Sequence, residues 1–309
     1  MTFSVTILGS ASAMPIKNHF PTAQLLNIHE QYFMIDCGEG AQMQLKRYGF
    51  SMLKINHIFI SHIHGDHTFG LFGLISTMSM LGRSVDLHIY APALLEEILH
   101  SHLHYFGKHI THKIVFHAVN TDDSTLIFEN NAITVHAIPL KHRVPAAGFL
   151  FREKIPPRNV HKHLIVKHNL SIHDIVRLKN GEDVLLPDGE LLAAETMTYQ
   201  PYEPRSYAFC SDTQYSEKVA EQIQGVDLLY HEATYANDKI DLALETGHST
   251  AENSAKVALE AGVKKLLIGH FSSRYTDYNT HLQEAQATFP HTEIASEGKK
   301  ISIPYRPNK

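Results

Sequence analysis

The run His62-Ile63-His64-Gly65-Asp66-His67 constrains this chain more than any other feature. It follows Asn56–Ser61, a short, apolar, β-branched segment that predicts a buried strand. Four metal-ligating side chains therefore leave the end of one strand in immediate succession. His62 and His64 are one residue apart, so in an extended loop they can point the same way. Gly65 offers a tight turn before Asp66 and His67. Neutral imidazole and carboxylate together suit zinc, with manganese or iron as alternatives. The chain holds 24 histidines, so abundance alone says nothing. Order, and position at a strand end, carry the inference.

Three more candidate ligands stand where apolar runs give way to polar loops. His142 closes Ile133–His142, Asp212 closes Ser206–Asp212, and His270 closes Lys265–His270. In a layered α/β protein, strand ends on one edge line a shared cleft. The seven residues make a complete ligand set for two adjacent divalent metals. Asp212 suits the bridging position, because only a carboxylate has two oxygens to share. A close metal pair serves in-line attack of water on a phosphoester or acyl centre.

Strand-like runs (Ser4–Leu8, Tyr32–Ile35, His57–Ile60, Asp86–Tyr90, Lys113–Val119, Ile133–Ile138) alternate with helical ones (Thr68–Leu81, Pro92–Tyr105, Ser216–Ile223, Thr250–Ala261). That alternation predicts an α/β fold. The last helix is marked by a capping box read as Ser249 to Glu252 and by Gly262 at its far end. His248 thus precedes a helix N-terminus, a place suited to phosphate. With 309 residues and 43% hydrophobic content, one large domain over residues 1–309 is expected. No apolar run is long enough to span a membrane. The start lacks a charged leader region, and Cys37 and Cys210 read as buried free thiols. A cytoplasmic location is expected.

The order of these ligands resembles the metallo-β-lactamase superfamily. The runs Asp36–Gln42, Tyr230–Thr234, Gly247–Thr250 and Gly269–Tyr275 resemble, more narrowly, ribonuclease Z, the tRNA 3′-processing endonuclease. The likeness extends from Ile7 to about Phe289. It implies a four-layer αββα sandwich with two Zn2+ per subunit at one edge, Mn2+ or another divalent metal being the alternative. It implies removal of the 3′ trailer of precursor tRNA, leaving a 3′-hydroxyl on the tRNA and a 5′-phosphate on the trailer. Asp66 would take a proton from water, His248 would protonate the departing oxygen, and Glu232 would orient His248. Asp36 is expected to brace the histidine loop rather than to ligate. A homodimer is implied, with no membrane or DNA partner. The alternative is a small-molecule phosphodiesterase, arylsulfatase or lactonase on the same fold.

The net charge is −5, unlike many RNA binders. Distribution matters more than the sum. From Arg152 to Lys179 there are seven cations, opposed in that stretch only by Glu153 and Asp174. In ribonuclease Z this interval holds a protruding arm that grips tRNA, so residues 152–200 are expected to form one, with Arg158, Lys162 and Lys167 on phosphates. Two departures from the family pattern stand out. The glycine-proline-rich arm turn is replaced by Lys167–Ile175. The family's P-x-K-x-R-N loop keeps Pro15 and Lys17 but has His19 and Phe20 in its last two places. Lys17 and Arg274 are expected to meet RNA, a structural salt bridge being the alternative for Arg274; Phe20 either stacks on a base or belongs to the core.

Overall fold

The computed structural model describes residues 1–15 and 19–308. The first half supplies β1 (Phe3–Gly9), β2 (Ala23–Ile28), β3 (Gln31–Cys37), β4 (Ile55–Phe59), β5 (Leu87–Ala91) and β6 (Ile114–Ala118). Helices α1 (Ala41–Arg47), α2 (Gly65–Met80) and α3 (Leu94–Phe106) lie between them. Next come β7 (Leu126–Glu129), β8 (Ile133–Pro139) and β9 (Ala147–Glu153). An excursion follows, made of β10 (Asn159–Val160), α4 (Lys162–Lys167), α5 (Ile172–Lys179), β11 (Val184–Leu185), β12 (Leu191–Leu192), α6 (Ala194–Met197) and β13 (Thr198–Tyr199). The chain returns through β14 (Ser206–Cys210), α7 (Glu217–Gln222), β15 (Leu228–Glu232), α8 (Ile240–Thr246), α9 (Ala251–Glu260) and β16 (Leu266–Gly269). It ends with α10 (Asn279–Thr288), β17 (Thr292–Ile294) and β18 (Lys300–Ser302).

The strands form two seven-stranded sheets, ordered β18-β1-β2-β3-β4-β5-β6 and β17-β16-β15-β14-β9-β8-β7. Each has an antiparallel part and a parallel part. β3 to β6 run parallel in one sheet, and β14 to β17 in the other. The shared pattern is the two-fold pseudo-symmetry that the sequence itself does not display. Period-2 alternation turns Phe33, Phe59, Phe149, Phe151 and Phe209 into the space between the sheets, where they are fully buried. Phe59 meets Phe149 and Phe151 edge-on at 5.5 and 5.3 Å between centroids, the arrangement that ring quadrupoles favour. The opposite faces carry helices. α1, α2 and α3 cover the first sheet with Leu45, Leu71, Leu74 and Leu95, and α7, α9 and α10 cover the second with Val219, Ala255, Ala258 and Ala285. The result is the expected αββα sandwich. Among the described residues no helix is long and apolar enough to cross a membrane.

A buried ion pair fastens the second sheet to both chain ends. Arg205 gives Nε to Glu153 Oε2 (3.0 Å) and Nη2 to Oε1 (2.7 Å), while Nη1 reaches the carbonyls of Met1 and Ile303. Every nitrogen of the guanidinium is thereby engaged, as a buried charge requires. Cys37 and Cys210 are buried free thiols, as expected.

Two local expectations change. The helix that follows the histidine run begins at Gly65, not Thr68, so Asp66 and His67 ride on the first turn of α2. Gly65 therefore starts a helix rather than making a tight turn. The cap of α9 is Thr250, whose side chain accepts from Asn253 N (3.3 Å). Glu252 instead pairs with Asn237 and Lys256, so no reciprocal box forms there. Gly262 does stand in the left-handed conformation after the helix (φ 59°).

Residues 159–199 of the excursion close on themselves. β10 pairs with β13, and Val160, Leu170, Leu178, Val184, Leu192 and Met197 form a small core of their own. The segment Lys167–Ile175, which stands in place of a glycine-proline-rich turn, joins the end of α4 to the start of α5. Asn169 takes φ 47° between α4 and α5, and Ser171 with Asp174 forms a full capping box.

Candidate metal centre

The parallel strands β14, β15 and β16 deliver Asp212, Glu232 and His270 to one edge, because their C-terminal ends coincide. Across the sandwich, β4 delivers His62 and His64 to the same place, and α2 presents Asp66 and His67. His142 arrives from the loop after β8. Asp36, Asp212 and His270 all adopt positive φ (54°, 31° and 60°). Strained backbone at three site residues, none of them glycine, marks a place where geometry is imposed for function.

The decisive feature is the carboxylate of Asp212. Its Oδ2 lies 3.5 Å from His62 Nε2 and 3.7 Å from His142 Nε2. Its Oδ1 lies 3.2 Å from His67 Nε2 and 3.1 Å from His270 Nε2. Asp66 Oδ2 lies 3.5 Å from both of those last two nitrogens. Asp212 stands between two ligand groups, His62/His64/His142/Asp212 and Asp66/His67/His270, and His248 also comes close to Asp212 and His270.

The residues fit divalent cations on their own evidence. Nε2 of His67, His142 and His270 is buried and makes no hydrogen bond. Leaving such an atom unmatched costs about 1–3 kcal/mol, so three gathered around the Asp212 carboxylate call for a ligand. The other ring nitrogen is held in each case. His67 Nδ1 lies 2.7 Å from Asp36 Oδ2, His142 Nδ1 lies 2.8 Å from the Gly247 carbonyl, and His270 Nδ1 lies 2.9 Å from Thr234 Oγ1. Acceptors at Nδ1 of His67 and His142 put the proton there and leave Nε2 as the lone pair. Asp36 also accepts from Ser61 N and Ser61 Oγ at 2.7 and 2.9 Å, so it ties the ligand loop to β3. Burial, and then the His67 imidazole, hold His62 well below the usual histidine range. Burial works to raise Asp212, but His270 and His67 outweigh it and keep the carboxyl well below its usual range.

Beside the ligands, His248 Nδ1 lies 2.8 Å from Glu232 Oε1. Glu232 is fully buried and is fixed by the backbone N–H groups of Thr213 and Thr234 and by the Thr234 hydroxyl. Burial works to lower His248, and Glu232 overrides it, pushing the imidazole up to about 9. Thr234 closes the run Tyr230–Thr234, but the sequence assigned it no role of its own. It touches Glu232, His248 and His270 alike, and nothing in a lone threonine signals that.

These groups line a cleft of about 760 Å3 with Glu39, Phe69, Arg143, Tyr235 and Arg274. Arg274 lines this cleft, and so does Arg143, which the sequence did not single out. Phe20 is not on the cleft wall. Its ring packs on Gly40, so closely that a Cβ there would lie 2.7 Å from Phe20 Cδ1, and it serves packing instead of stacking. Lys17 lies outside the described residues.

Comparison with known proteins agrees with this geometry. A ribonuclease Z of Bacteroides fragilis is 46% identical over 97% of this chain and 99% of its own length. The chain belongs to the ribonuclease Z family. Among solved structures, human tRNase Z, short form, superimposes with a TM-score of 0.71 at 26% identity, covering 97% of this chain and 99% of the other. The metallo-β-lactamase fold protein YhfI from Bacillus subtilis gives 0.68 at 18% identity, covering 98% of this chain and all of the other; at that identity it speaks for the fold alone. Residues 3–156 also match the family described as Anti-Pycsar protein Apyc1.

The segment expected to form the arm, residues 152–200, is balanced in charge. Its seven cations are matched by seven acids over residues 152–200, because Glu182, Asp183, Asp188, Glu190 and Glu195 follow the basic stretch. Several cations are engaged within the fold. Lys154 pairs with Glu129, Arg177 with Glu182, and Arg158 donates to the Thr198 hydroxyl and carbonyl at 2.5 and 3.1 Å. Arg158 is thus a structural brace. Lys162 and Lys167 remain on α4, apart from the cleft.

Proposed function

We propose that the protein is a zinc-dependent endoribonuclease that removes the 3′ trailer of precursor tRNA, leaving a 3′-hydroxyl on the tRNA and a 5′-phosphate on the trailer. The observation that carries this is the splitting of Asp212 between two histidine groups, with the Glu232–His248 pair beside it. His62, His64, His142 and Asp212 would hold one zinc ion, and Asp66, His67, His270 and Asp212 the other. When bound, such ions supply a water of lowered pKa and offset charge on the phosphoryl oxygens.

The chain's own residues do the rest. Asp66 is steadied by Ala13 N–H on Oδ2 (2.8 Å), and its carboxylate takes the proton of the attacking water. His248, held at Nδ1 by Glu232, presents Nε2 to the departing 3′ oxygen and gives it a proton. Arg143 and Arg274 face the phosphates that flank the cut. Residues 152–200 act as an arm on the tRNA body, with Lys162 and Lys167 as its phosphate contacts. The working unit is a homodimer in the cytoplasm.

Purified protein with zinc or manganese, a 3′-extended precursor tRNA and an Asp212→Ala control test this. Cleavage just after the discriminator base, absent in the variant, is the expected result. Turnover of bis-p-nitrophenyl phosphate without RNA cleavage would move the reading to a small-substrate phosphodiesterase.

A further inference from the structure

One wall of the cleft carries a bare aromatic ring. Phe69 is 66% exposed, yet it stands on α2 only three residues after Asp66. The core does not need it, since α2 packs on the sheet through Leu71, Leu74, Ile75 and Met78. No other aromatic ring lies against it among the described residues. The other well-exposed phenylalanine, Phe106, does have a ring neighbour, His102 at 5.0 Å.

The position of the ring is nevertheless set. Side chains on a helix lean toward its N-terminus and over the residue four places earlier. For Phe69 that residue is Gly65, and a Cβ there would lie 2.3 Å from Phe69 Cε2. Gly65 has no positive φ to explain it. It is the seat that lets the phenyl ring settle beside Asp66. Across the same cleft stand Arg143 and Arg274. A flat apolar face next to a hydrolytic centre, with cations on the lining, matches a nucleotide: a base for the ring and phosphates for the guanidiniums.

We infer that Phe69 is a stacking platform for the base of a nucleotide flanking the scissile phosphate, and so sets where single-stranded RNA is cut. This rests on the nuclease reading above. Stacking on an aromatic side chain is tolerant of base identity, which suits trailers and discriminator positions of varied sequence.

Three variants test it, Phe69→Ala, Phe69→Leu and Phe69→Tyr, with metal content measured in each to show that the centre is intact. On precursor tRNA, alanine and leucine should lower kcat/KM by about 5- to 150-fold, the range found for loss of one base stack, while tyrosine stays near the parent. The second arm uses precursors with an abasic residue on one side or the other of the cut. On one of these the parent should fall to the level of Phe69→Ala, and the variant should lose nothing further. Two results would overturn the inference: unchanged cleavage by the alanine and leucine variants, or a defect that persists in full on both abasic substrates, as it would if the ring served only fold or self-association. If the parent protein does not cut precursor tRNA at all, the nuclease reading fails and takes this inference with it. If the parent cuts and the variants match it, only the stacking fails.

Discussion

The metal cleft and the arm were both sought in charged and titratable residues, and they behave in opposite ways. In the cleft, seven side chains spread from His62 to His270 converge within a few ångströms, and Nε2 of His67, His142 and His270 makes no hydrogen bond. In the arm, cations adjacent in sequence are drawn into local pairs and balanced by acids further along. Ligands at strand ends have one place to go, because the sheet fixes their direction. Cations on short helices and loops have many neighbours, and the nearest carboxylate or carbonyl claims them. Clustering in sequence is therefore a weaker guide to function than placement at the edge of a sheet.

The strongest way to break this contrast is Asp212→Ala. Removing the one carboxylate shared by both groups should cost at least about a thousandfold in kcat and lower bound metal measured by mass spectrometry of the holoenzyme. Full metal content with full activity would show that the two groups do not act as one centre. Next comes Asp36→Asn, which leaves every ligand in place but removes the carboxylate that holds His67 and Ser61. A loss of roughly 10–100-fold in metal affinity or activity is expected, read by zinc titration against a chelator.

A second histidine group sharpens the comparison. His57, His88 and Tyr90 lie side by side across β4 and β5, and His88 Nδ1 meets His117 Nε2 on β6 at 2.9 Å. Burial first, and then His88 and His117, lower His57 from 6.5 to about 4. Between these values the unfolded chain takes up a proton that the folded chain refuses. The stability due to neutral His57 is whole above about pH 6.5 and falls as the pH drops toward 4, by at most roughly 3 kcal/mol before allowance for its partial exposure. Melting temperatures of the parent and His57→Gln over that range should converge as the pH falls. Parallel curves would exclude His57 as the cause.

The smallest effects belong to the arm. Lys162→Ala and Lys167→Ala should each reduce the slope of log binding against log salt by about one if they touch phosphate. Arg158→Ala should leave the slope alone and loosen the arm by about 1–2 kcal/mol, through its lost bonds to Thr198, seen as faster limited proteolysis. A slope change for Arg158 alone would reverse the assignment.

Much of the site was legible because a metal centre demands particular residue types at strand ends. The run from His62 to His67, and then His142, Asp212 and His270, declare themselves in that way. Thr234, Arg143 and Phe69 did not, since threonine, arginine and phenylalanine do many jobs and only their neighbours say which. Phe20 shows the converse: next to a motif, an aromatic could stack on a base or join the core, and packing on Gly40 favours the second. The elements followed periodicity well for β1 and β3 to β6. The short pieces of the arm did not follow it, because segments of two to eight residues give too short a window for a periodicity to stand out.

By itself the sequence determined the chemistry, since ligand identity, order and spacing are covalent facts, and it determined the α/β class, since alternating apolar runs admit few other layers. Only the tertiary structure decided that Asp212 divides its two oxygens between separate groups, that Arg158 and Arg177 are engaged within the fold, and that Phe69 rather than Phe20 faces the cleft. Each of these depends on a distance between residues far apart in the chain, or on competition among partners, and neither is written in local order.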